Sequence, residues 1–85
     1  MLRLTTIQNS GDVTIRAEGE LVAEWVEFLA DTCDEVRENG TVLRLDLSGL
    51  TYVDGRGVKR LRALERAGIS LVRTPPLIRT MLTED

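Results

Sequence analysis

Thr41–Gly57, TVLRLDLSGLTYVDGRG, is the stretch whose reading decides the fold. Val42, Leu43, Leu45 and Leu47 form a short apolar run broken only by Arg44, and Ser48-Gly49 closes it, which predicts a central strand ending in a turn. Tyr52-Val53 then lead to Asp54, a good helix N-cap, and Gly55-Arg56-Gly57 opens a helix continued by Val58, Leu61 and Leu64. The expected unit is strand, tight loop, helix, with the carboxylates of Asp46 and Asp54 bracketing the loop. Loops at the carboxyl end of a parallel strand are where open α/β sheets place binding surfaces.

Outward from this unit the periodicity supplies the remaining elements. Leu2, Leu4 and Ile7 alternate loosely with polar residues, and Val13, Ile15 and Ala17 alternate with Thr14, Arg16 and Glu18. Asn9-Ser10-Gly11-Asp12 lies between them, so a β-hairpin at the sheet edge is expected, its second strand broken at Gly19. From Leu21 to about Glu38 the spacing becomes helical: Val22, Val26, Leu29, Cys33 and Val36 share a face, widened by Leu21, Trp25 and Phe28. Glu24, Glu27, Asp31, Asp34, Glu35 and Glu38 fall opposite, and Asn39-Gly40 supplies the stop. The acidic stripe reads as a solvated face, or as a docking face for a basic partner. Trp25 and Phe28 read as the core margin, with an interface role as the alternative.

The second helix, about Gly55 to Ala67, buries Val58, Leu61 and Leu64 and displays Arg56, Lys59, Arg60, Arg62 and Arg66. Basic residues in a first turn oppose the helix dipole by a few tenths of a kcal/mol each, so their placement invites a reason. Contact with the acidic first helix, or with Asp46 and Asp54, is one. Gly68 ends this helix, Ile69, Leu71 and Val72 give a short strand, and Pro75-Pro76 starts a last helix carrying Leu77, Ile78, Met81 and Leu82. The order β-β-α-β-α-β-α implies right-handed crossovers and a mixed sheet with a parallel core.

Composition narrows the function classes. Eighty-five residues make one domain, 1–85, burying about 60–65% of the unfolded surface. No segment approaches the roughly 18 uninterrupted apolar residues of a membrane span, and MLRLTTIQNSGD lacks the pattern of a secretion signal. A soluble cytoplasmic protein without membrane insertion is therefore expected. With no histidine and a single cysteine, Cys33, the usual Cys-His and Ser-His pairs, most zinc sites and an internal disulfide are excluded. Neither metal nor cofactor is expected, and Cys33 reads as a small core residue. Charge is split: residues 1–54 hold four arginines against eleven acids, net −7, and residues 55–85 hold seven bases against three acids, net +4. A net acidic chain whose basic helix lacks interleaved aromatics argues against nucleic acid.

Gly19-Glu20-Leu21, a helix, and then LDLSGLTYVDGRG over Leu45–Gly57 resemble the STAS domain, the fold of bacterial anti-sigma factor antagonists. Its members read G-x-L, helix, D-L-S-G-x-x-x-x-D-S-S/T-G and an apolar helix, and the match runs along nearly the whole chain. The resemblance implies a STAS-like α/β fold and a non-enzymatic protein-binding module. Gly68 to Leu82 corresponds to the strand and short helix after the signature helix. Many members add one more strand and helix; this chain has a short C-terminus, which favours a partner or a homodimer.

In antagonists the Ser or Thr before the loop glycine is phosphorylated by a kinase that is also the anti-sigma factor. Here D-S-S-G is D-G-R-G, and Arg56 at the acceptor position cannot take a phosphate. Val22 also stands where members often carry an acidic residue after G-x-L. The expectation is an antagonist-like module not switched by phosphorylation at the usual site. Its partner surface is expected to comprise Asp46, Ser48, Asp54, Gly55, Arg56, Gly57, Lys59 and Arg60, facing a kinase-like anti-sigma factor. The alternative is the STAS subunit of a bacterial ABC lipid-transport complex, docked on its ATPase. Another class remains open: a nucleotide- or anion-binding domain using the Gly55–Gly57 amides with Arg56 and Lys59. Against it, the P-loop pattern is absent and Asp54 would repel an anion.

Overall fold

A computed structural model describes residues 1–38 and 40–83. The elements follow as β1 (Leu2–Asn9), β2 (Asp12–Leu21), α1 (Glu24–Arg37), β3 (Val42–Val53), α2 (Gly55–Arg66), β4 (Ser70–Val72) and α3 (Pro76–Thr83). The sheet order is β1-β2-β3-β4. The hairpin pair β1-β2 is antiparallel, and β2-β3 and β3-β4 are parallel. This is the expected mixed α/β sheet with a parallel centre, and β1 forms one edge.

Alternation sorts the strands into two faces. Val13, Ile15 and Ala17 of β2 and Leu43, Leu45 and Leu47 of β3 are buried with the apolar faces of the helices. Val26, Leu29, Ala30 and Cys33 of α1 join them, with Val58, Leu61 and Leu64 of α2 and Ile78 and Leu82 of α3. The opposite parity carries Thr14, Arg16, Arg44, Asp46 and Ser48, so the second sheet face is polar. The Arg44 guanidinium donates to Asp12 across it at 2.6 Å.

Three boundaries differ from the sequence expectation, each for a local reason. First, β3 does not end at Ser48-Gly49 but runs to Val53. The β2-β3 register shifts between Arg16 and Glu18 and again between Gly19 and Glu20, so the alternation is reset by bulges rather than terminated. A Cβ at Gly49 would lie 2.6 Å from Glu18 Cγ and 3.0 Å from the Ala17 carbonyl oxygen, so the bulge needs glycine there. Second, β2 passes through Gly19 to Leu21, because the Glu20 N–H still finds the Met1 carbonyl at 2.9 Å. Third, Leu21 therefore belongs to a strand, fully buried, and α1 begins only at Glu24. At its far end Gly40 N–H donates to the Arg37 carbonyl at 2.9 Å; Asn39, the other half of the expected stop, lies outside the described residues.

The last helix is tied down by polar contacts as well as by Ile78 and Leu82. Arg62 of α2 donates from Nε to the Leu82 carbonyl at 2.9 Å and from Nη2 to the Met81 carbonyl at 3.0 Å. A cation at a helix carboxyl end is favourably placed.

Candidate functional site

The loop between β3 and α2 is organised by one carboxylate. Asp54 is the N-cap of α2: its Oδ1 accepts the Gly57 N–H at 2.8 Å, while its Oδ2 accepts the Ala23 N–H at 3.1 Å. The Asp54 N–H itself donates to the Leu21 carbonyl at 3.2 Å. The same side chain thus caps α2 and holds the residue that precedes α1, Ala23, in an unusual conformation with φ 50°. The Gly57 and Ala23 hydrogen bonds, helped by the charge on Arg56, hold the Asp54 carboxyl below the usual carboxylate range.

Gly57 is the contact point between loop and sheet. A Cβ there would lie 2.7 Å from both the Leu21 carbonyl oxygen and Val53 Cγ1. The first turn of α2 can therefore lie on the strand ends only without a side chain at this position. Gly55 by contrast faces open space.

Of the residues expected to form the surface, Asp54, Gly55, Arg56, Gly57, Lys59 and Arg60 do come together at the start of α2. Arg56 and Lys59 are exposed, and Arg60 is half-buried with its Nη2 2.8 Å from Glu27 Oε2 of α1. Contact with the acidic helix is thus made by Arg60, in the second turn, whereas the first-turn cation Arg56 has no ion pair among the described residues. Arg56, Lys59, Arg60 and Ala63 line an open groove of about 330 Å³ along the outer face of α2.

Asp46 and Ser48 are not part of this cluster. The continuation of β3 to Val53 leaves Asp46 eight residues before Asp54, in mid-strand beside Arg16 and Val72 on the polar sheet face. Asp46 does not bracket the loop. It is buried, which by itself raises a carboxyl pKa. The Ser48 N–H at 2.9 Å, the Ser48 hydroxyl and the charges of Arg73 and Arg16 outweigh that, leaving the group below its ordinary value. The anion reading of the loop also loses one of its donors, since the Gly57 N–H is already occupied by Asp54.

Sequence reasoning missed Ala23, Ala63 and the true setting of Phe28. Nothing in the pattern marks Ala23, whose role comes from a backbone amide. Ala63 carried a signal, being a small residue seven positions after Arg56 on a stripe otherwise basic. Phe28, placed by spacing at the core margin, is 44% exposed, and its ring meets the half-buried Trp25 edge-on with centroids 5.9 Å apart. Among the described residues no helix is long and apolar enough to cross a membrane.

Comparison with known proteins fits this geometry. Among solved structures, the unphosphorylated anti-sigma factor antagonist SpoIIAA aligns over 94% of this chain and 79% of its own, with TM-score 0.69 and 23% identity. An uncharacterized protein with a SpoIIAA-like fold from Shewanella loihica PV-4 aligns over 89% of this chain and 69% of its own, at TM-score 0.58 and 14% identity. A segment of Mglu, 18% of that chain, aligns with 79% of this one at TM-score 0.63 and 17% identity. No curated protein matches the sequence. The family model described as "Mlab, STAS domain" matches residues 4–84, and the chain therefore belongs to the STAS domain family.

Proposed function

We propose that this chain is a non-enzymatic docking module that recognises a protein partner through the loop Asp54–Gly57 and the outer face of α2. The observation that carries the reading is the basic stripe. Arg56 and Lys59 project to solvent from the first turns of a helix with no acidic residue there to balance them. That arrangement costs helix stability and suits an acidic surface on another molecule. Arg56 at the position where antagonists carry a phosphorylated hydroxyl supports a binding state not set by phosphorylation at that position.

Two partner classes fit a STAS module of this kind. One is an anti-sigma factor of the kinase type, supported by the likeness of fold to SpoIIAA. The other is the ATPase subunit of a bacterial ABC transport complex. The second is favoured by the family description, "Mlab, STAS domain", whereas the antagonist enters through a solved structure at 23% identity. Co-purification separates them by the protein recovered.

Substituting Arg56→Glu is expected to weaken partner binding about tenfold at low salt and less at high salt, as for a rim charge. Titration of wild type and variant against the recovered partner at two ionic strengths is the measurement. Equal affinities would remove Arg56 and the α2 face from the interface.

A further inference from the structure

We infer that the α1–α2 surface docks on a second copy of itself, across a two-fold axis running parallel to the two helices and midway between them. The inference concerns the free protein and stands whether or not the partner proposed above is the right one.

The first observation is charge. Both helices link parallel strands, so each runs back along the sheet and α1 and α2 are parallel to one another. The outer face of α1 carries Glu24, Asp31, Asp34, Glu35 and Glu38, all but Glu27 of its acids making no ion pair among the described residues. The outer face of α2 carries Arg56, Lys59 and Arg66, likewise without an ion pair. The stated axis exchanges left and right while keeping height, so it lays the acidic helix of each copy on the basic helix of the other, twice.

The second observation is shape. The acidic face presents one large apolar side chain, Phe28, 44% exposed. The basic face presents a recess, the groove of about 330 Å³ lined by Arg56, Lys59, Arg60 and Ala63. The two are level. Ala23 is bonded to Asp54 at one end and Arg37 to the Ala67 carbonyl at the other, so the helices are in step. Phe28 follows Ala23 by five residues and Lys59 follows Asp54 by five. The symmetry therefore brings the ring of each copy level with the other's groove, onto the basic face of α2, whose cations suit an aromatic ring.

The third observation is size. Helices of 14 and 12 residues lie side by side. At 1.5 Å rise and a spacing of about 10 Å they offer on the order of 400–500 Å² per copy. The total of about 1,000 Å² is at the low end for a specific interface, which fits a weak dimer with Kd on the order of 100 µM at low salt.

Sedimentation velocity from roughly 10 µM to 1 mM tests this, since the range spans the expected Kd. Wild type is expected to dimerise as concentration rises, with Kd at least about tenfold weaker in ~300 mM than in ~20 mM salt. Phe28→Ala should weaken the dimer by about tenfold or more. Glu24→Lys/Asp31→Lys and Arg56→Glu/Lys59→Glu should each be monomeric alone, because like charges then meet. Mixed one to one they should form a heterodimer, since both contacts become complementary again. The same mixture with Phe28→Ala in both members should stay monomeric, which separates docking from general attraction between oppositely charged proteins. Circular dichroism reports whether each variant folds, and if one does not, the wild-type salt series and Phe28→Ala decide. Wild type monomeric throughout, a dimer indifferent to salt and Phe28→Ala, or folded charge variants that fail to pair would each overturn the proposal.

Discussion

Gly57 and Asp54 show how much of the site is decided by single residues. Gly57 is inside α2, where alanine is intrinsically the better helix former by up to about 1 kcal/mol. Its position against Leu21 and Val53 reverses the sign. Gly57→Ala is expected to destabilise by about 1–3 kcal/mol through overpacking, while Gly55→Ala, facing open space, is expected to be neutral or mildly stabilising. Urea denaturation of the two variants checks the contrast, and equal effects would contradict the close approach of α2 to the strand ends. Asp54 was legible in the sequence as an N-cap because D-G-x-G before an apolar helix is a local signal. Its second bond, to Ala23, was not, because it joins residues 31 apart in the chain.

The elements were legible where periodicity is unbroken and illegible where it is reset. Both long helices and the hairpin follow from their spacing. The β3 boundary did not, because a bulge at Gly49 produces the same glycine punctuation as a turn; only the parallel neighbour β2 distinguishes the two. That one difference moved Asp46 and Ser48 out of the expected surface. The link between elements has a pH signature. With its pKa depressed, Asp54 contributes stability that is fully present above the ordinary carboxylate range, about pH 4, and is lost as pH falls through the lower folded value. Asp46, also depressed, adds to the same acid limb. Asp54→Asn is therefore expected to lower stability at pH 6 and to shrink, without abolishing, the loss between pH 6 and pH 3. Urea titrations of both proteins at the two pH values provide the check; an unchanged acid limb would mean the clamp is not charged in solution.

For the molecule as a whole, the core is the feature that composition foretold best. Cys33 is completely buried, and burial, with the nearby charge of Asp34, pushes its thiol up to about 11 against the opposing influence of Arg37. It is the chain's only cysteine, as Trp25 is its only tryptophan. Labelling by a disulfide reagent at pH 8 is thus expected to be slow in native buffer and to accelerate with urea in step with Trp25 emission, reporting global opening. Fast native labelling would reveal local opening of α1 instead. What composition could not foretell is how the acidic and basic halves are arranged, since net charges of −7 and +4 are compatible with many folds. The structure sets them on adjacent parallel helices joined through Asp54. That carboxylate works as a shared rivet: it bonds the amide just ahead of the acidic helix and caps the basic one, so the alignment of the two charged faces at this end depends on a single side chain.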